Sequence, residues 1–218
     1  IDGLQYCNWN REIFEDLWRG GLTAVHATLV YWENTEESFK KIDQWKELFF
    51  QHKDIICHAQ KTQNIIEAKK NNKVAIIFGF QNSAPIANDI FLVEKFFLKG
   101  LRFMQLTYNN QTPLAGGCFE LKDSGVSRFG YAVIEEMNRL GMIVDLSHAG
   151  RKTCLDAIKF SSKPVAISHA NPFFFHQSKR NIGDDVLKEL SKDNGFIAVS
   201  YTHLRAHETL RYLVCRLL

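Results

Sequence analysis

"GYAVIEEMNRLGMIVDLSHAG", residues 130–150, joins two patterns through a single glycine. Up to Leu140 the apolar positions Phe129, Val133, Met137 and Leu140 recur at helical spacing, while Glu135, Glu136 and Arg139 fall on the other side. Ser127 reads as the N-cap and Gly141 as the stop. From Met142 the chain turns into a short apolar run that fits a strand buried on both faces, and it ends on Asp-Leu-Ser-His. "PVAISHANP", residues 164–172, repeats the ending, with His169 placed after a second apolar run. One such histidine would mean little, but two at successive strand ends suggest a shared task.

Working outward, further apolar runs occur at Ile1–Tyr6, Ala24–Tyr31, Val74–Phe80, Arg102–Thr107 and Phe196–Ser200. With Met142–Ser147 and Val165–Ser168 they make seven expected strands, separated by helical segments that close at Gly100, Pro164 and Gly195. Repeated βα units with short connections imply a parallel sheet, doubly wound or closed. Polar residues gather after the strands: Gln81 and Asn82, then Tyr108, Asn109 and Asn110, then the two histidines. That distribution favours an α/β (β/α)8 TIM barrel, incomplete at about seven strands, with its chemistry at one shared mouth. The irregular stretches "NSAPIAND" and "NNQTPLAGGCFELKDSG" also follow strands and so overlie that mouth. No glycine-rich nucleotide fingerprint is present, which leaves nucleotide binding without support.

The 218 residues are 45% hydrophobic and 23% charged, enough for a sizeable core, and no uncharged apolar run is long enough to span a membrane. A formal charge of +3 is too small for a nucleic-acid footprint. Five widely spaced cysteines, an odd number without a Cys-x-x-Cys pair, read as reduced, buried thiols in a cytoplasmic compartment. No signal peptide is visible, although the chain opens on Ile1.

Neighbouring parallel strands lie ~4.8 Å apart, so histidines at matching depth on two of them can aim at one point. Zinc requires ligand nitrogens at ~2.0–2.1 Å, which such a pair can supply, with Asp145, Ser147 or Ser168 as outer partners. The alternative is a pair of satisfied polar residues at a barrel rim. A hydrolytic site also needs a third ligand. His26 lies within a strand, and His52 and His58 fall in a polar helical stretch, so these read as structural; His176 sits in a loop that can reach the mouth. Arg180, in the same loop, is either a bidentate partner for a substrate carboxylate or a surface charge.

At these residues the chain resembles the membrane dipeptidase (renal dipeptidase) family of the amidohydrolase superfamily. "GYAVIEEMNRLGMIVDLSHAG", "PVAISHANP" and "SKRNIGDDVLKEL" carry the resemblance, supported by "LRFMQLTYNNQTP" and the opening "IDG", in order from Ile1 to about Val199. It implies a TIM barrel that hydrolyses the peptide bond of dipeptides with metal-activated water. His148 and His169 would ligate zinc, and Arg180 would hold the C-terminal carboxylate. The departures are equally specific. The family opens Asp-Gly-His-Asn-Asp, whereas this chain has Leu4 and Tyr6 at the two ligand positions. Gln81 stands at the bridging glutamate, a doubtful metal ligand, and Tyr108 at the histidine that assists the carbonyl oxygen. Cys7 is one residue out of phase to replace a lost ligand. The resemblance therefore implies one zinc ion rather than two, with a dipeptide or small carboxylate-bearing substrate. The partners expected are this substrate and, as an open alternative to a monomer, a second copy in a homodimer, with neither nucleic acid nor membrane. A non-catalytic binding relative with a degraded metal site is the competing reading.

Residues 1–199 read as the partial barrel. "SYTHLRAHETLRYLVCRLL", residues 200–218, reads as a non-native tail that resembles translated adapter sequence. On this reading an eighth strand and the acidic residue that follows it are missing, and the 218-residue chain is expected to be poorly soluble and inactive.

Overall fold

The computed structural model describes residues 1–199, and the expected tail lies outside them. Eight strands alternate with seven helices: β1 (Asp2–Gln5), α1 (Arg11–Arg19), β2 (Ala24–Val30), α2 (Thr35–Gln51), β3 (Ile56–His58), α3 (Thr62–Lys70), β4 (Val74–Phe80), α4 (Phe91–Leu98), β5 (Leu101–Gln105), α5 (Arg128–Leu140), β6 (Ile143–Asp145), α6 (Arg151–Phe160), β7 (Ala166–Ala170), α7 (Asp184–Lys192) and β8 (Phe196–Val199). All described strand pairings are parallel, in the order β1-β2-β4-β5-β6-β7-β8. The result is a nearly closed barrel of seven strands ringed by helices, an incomplete (β/α)8 arrangement.

β3 is the eighth strand, and it corrects the expectation that His58 lies in a helical stretch. It pairs only with the first half of β4, Ile56 opposite Val74 and His58 opposite Ile76. Since β2 runs along the whole of β4, β3 and β5 share the other edge of that strand. A three-residue strand carrying a histidine has no apolar run by which it could be recognised.

The helix ends form as the sequence predicts. Ser127 Oγ accepts from Gly130 N at 2.9 Å, and Gly141 closes α5 at φ +80°, where a side chain would be strained. Val133 and Met137 are fully buried on the barrel-facing side, with Phe129 and Leu140 packed beside them. Asn34 and Glu37 form a reciprocal capping box at the start of α2. Of the described cysteines, Cys118 and Cys154 are buried while Cys7 and Cys57 are only half-buried; all four are free thiols.

Two glycines allow close approaches within the barrel. A Cβ on Gly3 would sit 2.5 Å from Ala198 Cβ and 2.7 Å from Ser168 O, so β1 reaches β7 and β8 only as glycine. A Cβ on Gly79 would fall 1.6 Å from His26 Nε2, because the buried His26 ring lies across β4 and stacks on Phe103 at 4.4 Å. Gly79→Ala is therefore expected to destabilise the fold by about 3 kcal/mol, through displacement of a packed ring. Urea unfolding reads this directly, and an unchanged midpoint would show that His26 can move aside.

His58 packs between Phe49 and Phe78, with ring centroids at 5.1 and 4.1 Å. Burial pushes its pKa down to about 4; Arg102 acts in the same direction and the Gly100 backbone opposes it. A histidine whose folded pKa lies below its unfolded value binds its proton preferentially in the unfolded state. Stability is thus expected to fall as pH drops from about 6.5 towards 4. His58→Gln should flatten that slope, and an identical slope in the variant would assign the acid sensitivity elsewhere.

Candidate metal and substrate site

β6 and β7 pair with Asp145 opposite Ala166, so the residues three further along each strand, His148 and His169, stand level. His148 lies beyond the end of β6, in a turn with φ +65°, whereas His169 lies within β7 rather than after it. Their Nε2 atoms approach to 2.8 Å, with the rings inclined at 58°. The level pair expected from the sequence is thus brought together, not turned apart. Left-handed backbone at a histidine costs about 1 kcal/mol and is typical of functional turns. Here Thr107 Oγ1 and Cys118 N both bond to His148 O and hold the turn in place.

The outer face of each ring is fixed. His148 Nδ1 bonds Asn109 Oδ1 at 2.6 Å, and that oxygen can only accept, so Nδ1 carries the hydrogen. His169 Nδ1 lies 2.9 Å from Ser168 Oγ, whose own proton is given to Asp145 Oδ2 in a short bond, so this Nδ1 also donates. In the neutral rings both Nε2 atoms are therefore left without a hydrogen and face each other across 2.8 Å. That is the tautomer arrangement of a metal-ligating pair, in which the ring nitrogen away from the metal donates to an outer partner.

Asp145 organises this arrangement from beneath. Fully buried, its Oδ1 accepts from Ser147 N at 2.9 Å and Ser168 N at 3.1 Å, and its Oδ2 also takes Gln105 Nε2 at 3.3 Å. Burial alone would raise its pKa, but His169, the Ser168 hydroxyl, His26 and the Ser147 amide together hold it below the ordinary carboxylate value. Ser147 Oγ completes the support by accepting from His169 N at 3.0 Å.

The pair opens into a cavity of about 550 Å³, also lined by Leu4, Tyr6, Gln81, Tyr108 and Arg180. Gln81 gives its amide nitrogen to Thr28 Oγ1 at 2.9 Å, which leaves its carbonyl oxygen as the group to offer a ligand. Tyr108 packs its ring 4.4 Å from that of His148. Arg180 is 5% exposed; Nη2 donates to His169 O, while Nη1 is buried and meets no hydrogen-bond partner among the described residues. The surface-charge reading of Arg180 is thereby excluded. His176 is exposed and does not line the cavity.

Two nitrogens on a tetrahedral zinc ion stand ~3.3 Å apart, so the pair needs to open by about half an ångström to hold one. The residues fit an ion gripped from one side. Among the described residues no group of three or more His, Cys, Asp or Glu side chains converges, because Leu4, Tyr6 and Gln81 are not anionic. Sequence reasoning gave no role to Asn109, which orients His148 from φ +67°; the only sign of it was an asparagine, tolerant of that conformation, in the loop that follows β5. It also gave no role to Tyr31, whose ring joins Tyr6 to Tyr108 at 4.7 and 5.5 Å.

A family model described as membrane dipeptidase (peptidase family M19) matches residues 11–210. An uncharacterised dipeptidase of Schizosaccharomyces pombe is 31% identical over 170 residues, which cover 76% of this chain and 41% of that protein. The crystal structure of an amidohydrolase from Pseudomonas aeruginosa superposes with a TM-score of 0.89 at 38% identity, covering 91% of this chain and 61% of the other. A metallopeptidase from Rhodobacter sphaeroides, liganded with a phosphinate mimic of the dipeptide L-Ala-D-Ala, gives a TM-score of 0.80 at 15% identity and shares the fold. It is covered over 72% of its length, and this chain over 91%. The chain thus spans 41% and 61% of the lengths of the first two relatives. No helix among the described residues is long and apolar enough to cross a membrane.

Proposed function

The chain belongs to the membrane dipeptidase family, peptidase family M19, and from that premise we propose that the protein is a zinc-dependent hydrolase of dipeptides. The observation that carries the reading is the convergence of His148 and His169 Nε2 at 2.8 Å in a cavity that also holds the buried Arg180. One zinc ion, rather than two, suits this donor set. When bound, it would supply Lewis-acid polarisation of the scissile carbonyl and a water acidified towards neutrality.

The chain's own residues do the positioning. Arg180 Nη1 pairs with the substrate's carboxylate, a charge-assisted bond strengthened by the loss of water around it. Because Arg180 Nη2 is tied to His169 O, the carboxylate is held within one residue of the histidine pair. Tyr108 is the donor for the carbonyl oxygen, and Gln81 offers its amide oxygen in the same cavity. Asn109 and Ser168 keep both imidazoles turned inwards. The four cysteines among the described residues are free thiols, which supports a reducing, cytoplasmic setting.

Zinc titration of chelator-stripped protein, followed by assay against dipeptides, tests this reading. About one bound equivalent with chelator-sensitive hydrolysis is the expected result; hydrolysis indifferent to chelation would sink it. A second reading is favoured by Leu4, Tyr6 and Gln81: a binding protein that keeps Arg180 but not the chemistry. It requires a carboxylate ligand bound without zinc.

A further inference from the structure

The strand order fixes which sides of the mouth face each other. β7, which carries His169 and leads into the Arg180 loop, lies three strands from β4 by way of β6 and β5. In the other direction it lies three strands from β2, by way of β8 and β1, which meet where Gly3 packs against Ala198. The ends of β2 and β4 therefore stand across the mouth from Arg180. Tyr31 follows β2 directly and lines the same cavity as Arg180 and the histidine pair.

Tyr31 belongs to a group of rings in fixed geometry. Tyr6 meets it edge to face at 4.7 Å, and it meets Tyr108 at 5.5 Å and 70°. Trp32 meets Tyr108 at 5.1 Å and 89°, so consecutive residues of one turn both pack on that ring. Glu33 pins the turn. Its Oε2 accepts from Tyr31 N at 2.7 Å and Trp32 N at 3.1 Å, while its Oε1 pairs with Lys41 Nζ at 2.6 Å. Burial, with Tyr6 and Tyr108 beside it, pushes the Tyr31 pKa up, so this ring stays a neutral phenol. A ring surface already held in place offers contact to a flat apolar group at little cost in ordering.

Resting on the placement of the substrate carboxylate at Arg180 in the reading above, we infer that Tyr31, Tyr6 and Tyr108 form the subsite for the side chain of a dipeptide's N-terminal residue, and that the site prefers dipeptides in which this side chain is aromatic. The C-terminal residue of a dipeptide bears the carboxylate, and the N-terminal residue bears the scissile carbonyl. With the carboxylate on the β7 side and the carbonyl at the histidine pair and Tyr108, the N-terminal residue extends towards β2. Its Cβ stands next but one to the carbonyl carbon, which brings an attached ring beside Tyr108 and onto Tyr31. The side chain of the C-terminal residue, attached beside the carboxylate, stays on the Arg180 side and gains no such contact.

L-phenylalanylglycine and L-alanylglycine differ by one phenyl group, and glycyl-L-phenylalanine carries that group on the other residue. Calorimetry on chelator-stripped protein measures all three as ligands without turnover. Phenylalanylglycine is expected to bind about tenfold more tightly than alanylglycine, and glycylphenylalanine to stay close to alanylglycine. Tyr31→Ala should remove most of the phenylalanylglycine advantage, whereas Tyr31→Phe, which keeps the ring, should retain it. Equal binding of phenylalanylglycine and alanylglycine would overturn the inference. So would a gain of the same size for glycylphenylalanine, or an advantage that survives Tyr31→Ala. Restoring zinc separates the two levels. Zinc-dependent hydrolysis of phenylalanylglycine and alanylglycine at equal kcat/KM leaves the hydrolase reading standing and removes the subsite. A binding preference of about tenfold with no zinc uptake keeps the subsite and removes the hydrolase reading.

Discussion

Replacing His169 by alanine is expected to lower zinc affinity by about 100-fold or more, and His148→Ala to do the same. Outer partners of metal-bound histidines alone are worth ~10–100-fold, so removing one of two ligands should reach at least the top of that range. The structure makes the two losses equivalent, because the Nε2 atoms converge from level positions and neither ring has a substitute among the described residues. Asn109→Ala and Ser168→Ala supply the graded comparison. Each removes the acceptor of one Nδ1 hydrogen, at 2.6 and 2.9 Å, without removing a ligand. They should fall between wild type and the histidine variants. His169 is only half-buried, so the fold should tolerate its truncation, and unfolding curves verify this. Zinc uptake unchanged in both alanine variants would place the ion elsewhere and remove the basis for hydrolysis.

The parts of this arrangement visible in the sequence are those that depend on local pattern. The α5 face from Phe129 to Leu140, its Ser127 cap and its Gly141 stop are dictated by spacing and backbone sterics, and they stand where expected. So does the level placement of His148 and His169, which follows from strand period and parallel pairing. What escaped depends on contacts distant in the chain. β3 is a strand only because β4 has an edge free beside its first half. Of the two Nδ1 partners, Asn109 comes from 39 residues away and escaped, whereas Ser168, next to His169, was among the outer partners the sequence offered. The burial of Arg180 was undecided in the sequence because a loop residue's depth is set by what folds over it, here the carbonyl of His169 and the end of β7.

Arg180→Ala should weaken any carboxylate ligand of the cavity by about 100-fold, corresponding to the ~2–5 kcal/mol lost when one partner of a buried charge pair is truncated. The magnitude follows from where the guanidinium sits. Burial pushes its pKa below the usual arginine value, yet arginine stays charged, so the protein holds a desolvated cation with Nη1 unpartnered among the described residues. A ligand carboxylate relieves that condition, and its gain is larger than at a solvated surface pair. Arg180→Lys tests the geometry separately from the charge. A single ammonium cannot both reach His169 O and present a donor in the Nη1 direction, so affinity should still fall roughly tenfold. Loss of the Nη2 bond to His169 O also frees the β7 end, so the alanine variant is expected to lose zinc affinity modestly while losing carboxylate affinity strongly. Equal losses of both ligands would instead mean that Arg180 serves only to brace His169, and undiminished carboxylate binding would take it out of the site.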